Sequence, residues 1–209
     1  MALIDISRTL NPTIAVWPGD TPFAIETVLA IADGATVNLT TLTLSAHTGT
    51  HADAPFHFAA DGATLEQVDL TPYWGPAQVV TVSRQAGMLA PGDFAHVDLG
   101  RAPRLLVRSQ ASSQDPTIFP EEIVYPGPEL IAVLAQHGIV LYGADAPSMD
   151  AIDSATLPGH HALRRHGIAI LEGLDLRNAP DGIYELVAFP LKIAGGDGSP
   201  VRAVLRTGA

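Results

Sequence analysis

Apolar and polar residues alternate through the first quarter of the chain with the two-residue period of β-strands. The segments are LIDIS (3–7), FAIETVLAI (23–31) and VNLTTLTLSAH (37–47). In the last, Leu42, Thr43 and Leu44 alternate as a half-buried strand would. Further short apolar runs predict strands at 77–83, 104–109, 138–143, 167–174, 184–193 and 201–206. Pro190 interrupts the 184–193 run and predicts an edge or a bulge there. Helical signals are fewer. GPELIAVLAQHG (127–138) has Pro128 and Glu129 in its first turn and Gly138 as its stop. A shorter helix is expected from His160 to His166, ending at Gly167. Helix is followed by strand twice in the second half, which implies some βαβ character. The pattern therefore predicts a β-rich α/β domain.

Composition narrows the picture. At 209 residues, with 47% hydrophobic and 16% charged positions, the chain fits one well-buried domain spanning 1–209. Its net charge is −11, and its 11 Lys and Arg form no basic patch. Nucleic acid and anionic membrane surfaces are therefore disfavoured as partners. No apolar run nears the roughly 20 residues that span a bilayer, and MALIDISRTL does not read as a secretory signal. A cytoplasmic protein is expected. There is no cysteine, which excludes disulfides, thiolate nucleophiles and cysteine-ligated zinc.

One stretch stands apart. HTGTHADAPFH (47–57) carries His47, His51, Asp53 and His57, three of the eight histidines among them. Gly49 and Pro55 argue against a helix here. In an extended chain these odd-numbered residues share a face as far as Ala54, and Gly49 leaves room between the rings. Neutral imidazoles with a carboxylate suit zinc and similar divalent ions, and a carboxylate can bridge two of them. A second cluster holds His160, His161, His166 and Glu172. Glu172 lies in the apolar run IAILEGL, where a carboxylate is costly unless paired or metal-bound. His166 fits an ordinary helix C-terminus. Trp17, in VWPGD, sits beside a Pro18-Gly19 turn signal, at a loop edge that a ligand can reach. Asp145, Ser148 and Asp150 read as braces more than as substrate contacts. Asp93, His96 and Asp98 read as a solvated loop.

HTGTHADAPFHF resembles the H-x-G-T-H-x-D-x-P-x-H-F signature of the metal-dependent cyclase/hydrolase family, most closely its bacterial arylformamidases. DISRTLNPTIAVWPGD, GADAPSMD (143–150) and PGHHALRRHGIAILEGL are similar to further blocks of that family, in its order. The resemblance implies a homodimeric α/β fold of the swivelling β/β/α type, with a barrel-like core of mixed strands and a few flanking helices. It implies two divalent metal ions per subunit, zinc with manganese as the alternative. His47, His51 and Asp53 would bind the first, and Asp53, His160 and Glu172 the second. His160 is preferred over His161 by its family spacing from Glu172. His57 would transfer the proton, and Trp17 would stack on the substrate. The implied reaction is hydrolysis of N-formyl-L-kynurenine, a small molecule, to L-kynurenine and formate by a metal-activated hydroxide. A cyclic-amide hydrolase of the isatin type would use the same ligands. A non-catalytic metal-binding protein would have no need of His57.

Overall fold

The computed structural model describes residues 2–208. Its strands are β1 (Leu3–Asp5), β2 (Ala24–Leu29), β3 (Leu39–Thr43), β4 (His51–Asp53), β5 (Trp74–Thr81), β6 (Gly87–Leu89) and β7 (Arg104–Arg108). They continue with β8 (Val124–Pro126), β9 (Leu141–Ala144), β10 (Ala169–Glu172), β11 (Gly182–Val187), β12 (Gly198–Pro200) and β13 (Val204–Arg206). The α-helices are α1 (Pro128–Gln136) and α2 (Pro158–Arg165).

Nine strands form one mixed sheet in the order β1-β13-β11-β5-β7-β9-β10-β4-β12. The sheet curls as a half-barrel that stays open, since its end strands, β1 and β12, do not pair with each other. The central strands β5, β7, β9 and β10 run parallel. Parallel neighbours need a long crossover, and α1 and α2 supply those leading into β9 and β10. These are the two helix-then-strand units expected from the sequence.

The central strands read as unbroken apolar runs because both faces of the sheet are covered. On one face Val80, Leu105, Val107, Tyr142 and Ile170 pack with Leu130, Ile131 and Leu134 of α1 and Leu163 of α2. On the other, Val79, Leu106, Leu141 and Leu171 pack with Ile6, Leu186 and Leu205. Consecutive residues along each strand thus serve opposite cores.

Two expectations from the pattern change. Strand β3 pairs only with β2, outside the main sheet, and both strands are exposed along their whole length. The Leu–Thr alternation marks strand geometry correctly but not burial, since no second layer covers either face. Strand β11 stops at Val187, so Pro190 lies beyond its end and not on an edge or bulge within it.

Candidate metal and active site

The site is built on the edge of the sheet. Strand β4 lies antiparallel between β10 and β12, with His51 opposite Glu172 and Asp53 opposite Gly198. Residues two apart on a strand share a face, so His51 and Asp53 point the same way and Glu172 joins them across the ladder. All three are buried. His160 reaches the same place from α2, its Nε2 3.6 Å from Asp53 Oδ2 and 3.3 Å from Glu172 Oε1.

His47 arrives differently. Only His51–Asp53 is extended; residues 47–50 form a turn in which Gly49 has φ +69°. A shared strand face therefore gathers His51 and Asp53, but not His47 or His57. The turn lays the His47 ring against Asp53, with Nδ1 3.0 Å from Oδ1. Gly198 makes room for that ring: a Cβ there would fall 2.6 Å from His47 Cε1. His57 sits on a 3-10 turn, Pro55–His57, and its ring lies 3.9 Å from that of His47 at 36°.

The ligand-type atoms of His51, Asp53 and Glu172 lie within 4.8 Å of one another, and so do those of His47, Asp53 and His57. His51 Nε2 and Glu172 Oε2 are 3.3 Å apart. Yet buried His51 Nε2 and Glu172 Oε1 make no hydrogen bond. Leaving such a buried atom unsatisfied costs about 1–3 kcal/mol or more. The two residues aim into a common space, an arrangement that a cation there would satisfy. The outward nitrogens are all tied down. His51 Nδ1 meets Gly49 O at 3.0 Å, His160 Nδ1 meets Asp150 Oδ2 at 2.7 Å, and His47 Nε2 meets Asp197 Oδ2 at 3.1 Å. Metal-binding imidazoles characteristically have this second attachment, which sets tautomer and ring orientation. The donor set and its supports fit divalent metal ions.

Without a cation, the site's charges lean on each other. Burial opposes a charged His51, but the carboxylates of Asp53 and Glu172, 3.4 and 3.3 Å from its Nε2, prevail and raise its pKa to about 10. Burial opposes a charged His160 too, and Asp150, Asp53 and Glu172 raise it to about 12. Burial would raise the carboxyl pKa of Asp53, yet the three surrounding histidines hold it well below the usual range.

The site opens into a cavity of about 370 Å³ lined by His47, His51, His57, His160, Glu172 and Trp17, among others. Trp17 begins the expected turn, with Asp20 N–H donating to its carbonyl at 2.9 Å, and its ring meets Phe119 edge-on at 5.2 Å. His161 does not line this cavity; it packs against Phe58. His166 ends α2.

Asp145 is a brace, accepting from the backbone and hydroxyl of both Ser109 and Ser112 at 2.7–3.0 Å. Asp150 accepts from the Gly159 and His160 amides at the start of α2, so it caps that helix while orienting His160. Ser148 lines the cavity and accepts from the Asp150 amide. Asp93 caps its own short turn and pairs with Arg84.

Among the cavity residues that sequence reasoning passed over are Phe119, Arg8 and Asp197. Phe119 is an ordinary apolar residue in a loop. Arg8 donates to the carbonyls of Gly173, Asp145 and Ala111. Asp197 touches both His47 and His57. None stands in a histidine-rich motif, and Asp197 is more than a hundred residues from its partners.

This fold and this site define a hydrolase of the metal-dependent class. The chain belongs to the Cyclase family, whose profile matches residues 4–151. It is 46% identical over 207 residues to a kynurenine formamidase of Salinibacter ruber, covering 99% of this chain and 98% of that one. Among solved structures, isatin hydrolase A from Labrenzia aggregata superposes with a TM-score of 0.85 at 27% identity, covering 99% of this chain and 94% of that one. A Bacillus stearothermophilus protein described as a predicted metal-dependent hydrolase gives 0.82 at 28%, covering 98% and 97%.

Proposed function

We propose that the chain hydrolyses N-formyl-L-kynurenine to L-kynurenine and formate. The observation that carries this reading is the convergence of His47, His51, Asp53, His160 and Glu172 on one space, at the floor of a cavity walled by Trp17 and Phe119. Near-full-length identity to kynurenine formamidases supports the substrate.

Two ions would be held here. His47, His51 and Asp53 would hold one, and Asp53, His160 and Glu172 the other. Nitrogen and oxygen donors without sulfur suit zinc and also admit manganese. When bound, such metals lower the pKa of a water ligand to about 7 and polarise a carbonyl oxygen. The chain's residues do the rest. Trp17 stacks on the aryl ring, worth about 0.5–1.5 kcal/mol beyond area burial. His57 delivers a proton to the departing aryl amine, a contribution of typically 10²–10⁴-fold. Cavity walls and the capped α2 keep these groups in place.

The protein acts in the cytosol as a homodimer. Support for the dimer comes from the β2–β3 hairpin, which exposes Ile25, Val28, Leu29, Leu39 and Leu42 at 43–54% of their surface. Apolar side chains exposed in this number on one hairpin fit a protein interface.

Likeness to isatin hydrolase A favours a second reading, in which a cyclic amide is opened on the same ligands. Assays with both substrates, on chelated and on zinc-reloaded protein, decide between them. Zinc-dependent release of kynurenine supports the first; zinc-dependent turnover of isatin alone moves the function to the second.

A further inference from the structure

We propose that Asp197 is a positioning residue that ties His47 to His57, so that one carboxylate orients both a metal ligand and the proton donor. This rests on the roles just proposed for those histidines. A single oxygen, Asp197 Oδ2, lies 3.1 Å from His47 Nε2 and 3.4 Å from His57 Nδ1. A carboxylate oxygen has two lone pairs and can accept from both rings.

The inner half of the site shows why this placement matters. His51 is oriented by the Gly49 carbonyl and His160 by Asp150, each through the nitrogen turned away from the ligand space. Asp197 completes that series for His47 and alone among the three serves a second imidazole. With Nε2–H donated to Asp197, His47 presents the Nδ1 lone pair toward Asp53. With Nδ1–H donated to the same oxygen, His57 keeps Nε2 as the nitrogen that exchanges a proton in the cavity. The stacked rings, 3.9 Å apart, could not turn independently without breaking one of these contacts.

The carboxylate is carried on a fixed backbone, although its side chain is 45% exposed. The Asp197 carbonyl accepts from Ala54 N–H at 2.8 Å, and that of Gly196 accepts from Leu65 N–H at 2.8 Å. Gly198, the next residue, pairs with Asp53 in the β4–β12 ladder. The residue that orients His47 is thereby held in register with the carboxylate that His47 faces.

The test uses full-length protein with Asp197→Ala and Asp197→Asn. Zinc affinity is measured by competition with a chromophoric chelator, and kcat and KM on N-formyl-L-kynurenine at saturating zinc. Loss of an outer-shell partner typically costs 10–100-fold in metal affinity or activity. Asp197→Ala is expected to lose about that factor in zinc affinity and at least about tenfold in kcat. KM should stay within about twofold, because no substrate contact is removed. Asp197→Asn keeps one acceptor oxygen and should recover part of both losses. Unchanged zinc affinity or unchanged kcat in Asp197→Ala, beside an active wild type, overturns the inference alone. Wild type that neither binds zinc nor turns over overturns the underlying reading and this inference with it.

Discussion

At the scale of single residues, burial separates roles that the motif leaves equal. His51 and His160 are buried, whereas the side chain of His57 is 36% exposed. An exposed imidazole over the cavity can exchange protons; an enclosed one between carboxylates is suited to hold a cation. His57→Ala should therefore keep its zinc and lose about 10²–10⁴-fold in kcat, the usual worth of acid–base help. Metal analysis beside steady-state rates checks this, and loss of zinc in that variant would instead make His57 a ligand. The same carboxylates set a pH dependence in metal-stripped protein. His51 and His160 have raised pKa values when folded, to about 10 and about 12. Their contribution to stability is complete below the unfolded value of about 6.5 and is lost as pH climbs toward the folded ones. The melting temperature of stripped protein should fall between about pH 6.5 and 10. Zinc-loaded protein should not follow, since metal ligation requires neutral imidazoles and strengthens as protons leave. Parallel thermal scans of both forms would refute this if their pH slopes coincided.

At the scale of elements, register does the assembling. Glu172 meets His51 because β10 pairs with β4 as Glu172↔His51, Leu171↔Ala52 and Ile170↔Asp53. A one-residue slip would turn every one of these side chains to the other face. On the opposite side of β4, β12 contributes a position with no side chain. Gly198→Ala would bring a methyl within 2.6 Å of the His47 ring. That variant should fold and bind zinc more weakly by about 10–100-fold, the range expected when a ligand is disoriented. A chelator titration checks it, and wild-type affinity would show that the ring has room to move. The sequence made His51, Asp53 and Glu172 legible as candidate ligands through residue type and neighbouring pattern. It could not display their pairing, because the strands that bring them together are far apart in the chain.

At the scale of the whole molecule, the β2–β3 hairpin stands outside both cores. Ile25 and Leu42 face each other across it and are 51% and 54% exposed. In a two-fold dimer the same patch on each copy can cover its counterpart. Ile25→Asp combined with Leu42→Asp should turn a dimer into a monomer in light scattering while preserving the fold. A monomeric wild type, or a double variant that stays dimeric, would remove the hairpin from the interface.

The amino-acid sequence by itself determined the β-rich α/β class and the two helices before β9 and β10, and it marked His47, His51, Asp53, His57, His160 and Glu172 as candidate site residues. Each of these is written locally, in hydrophobic period, turn residues or a dense run of ligand types. Only the tertiary structure decided that His47 comes in from a turn, that β3 is uncovered, and that Asp150 and Asp197 stand behind His160 and His47. Burial and second contacts depend on which distant segments pack together. A lone aspartate in GGDGSP has no local pattern to distinguish it from a solvated loop until β12 lies down beside β4.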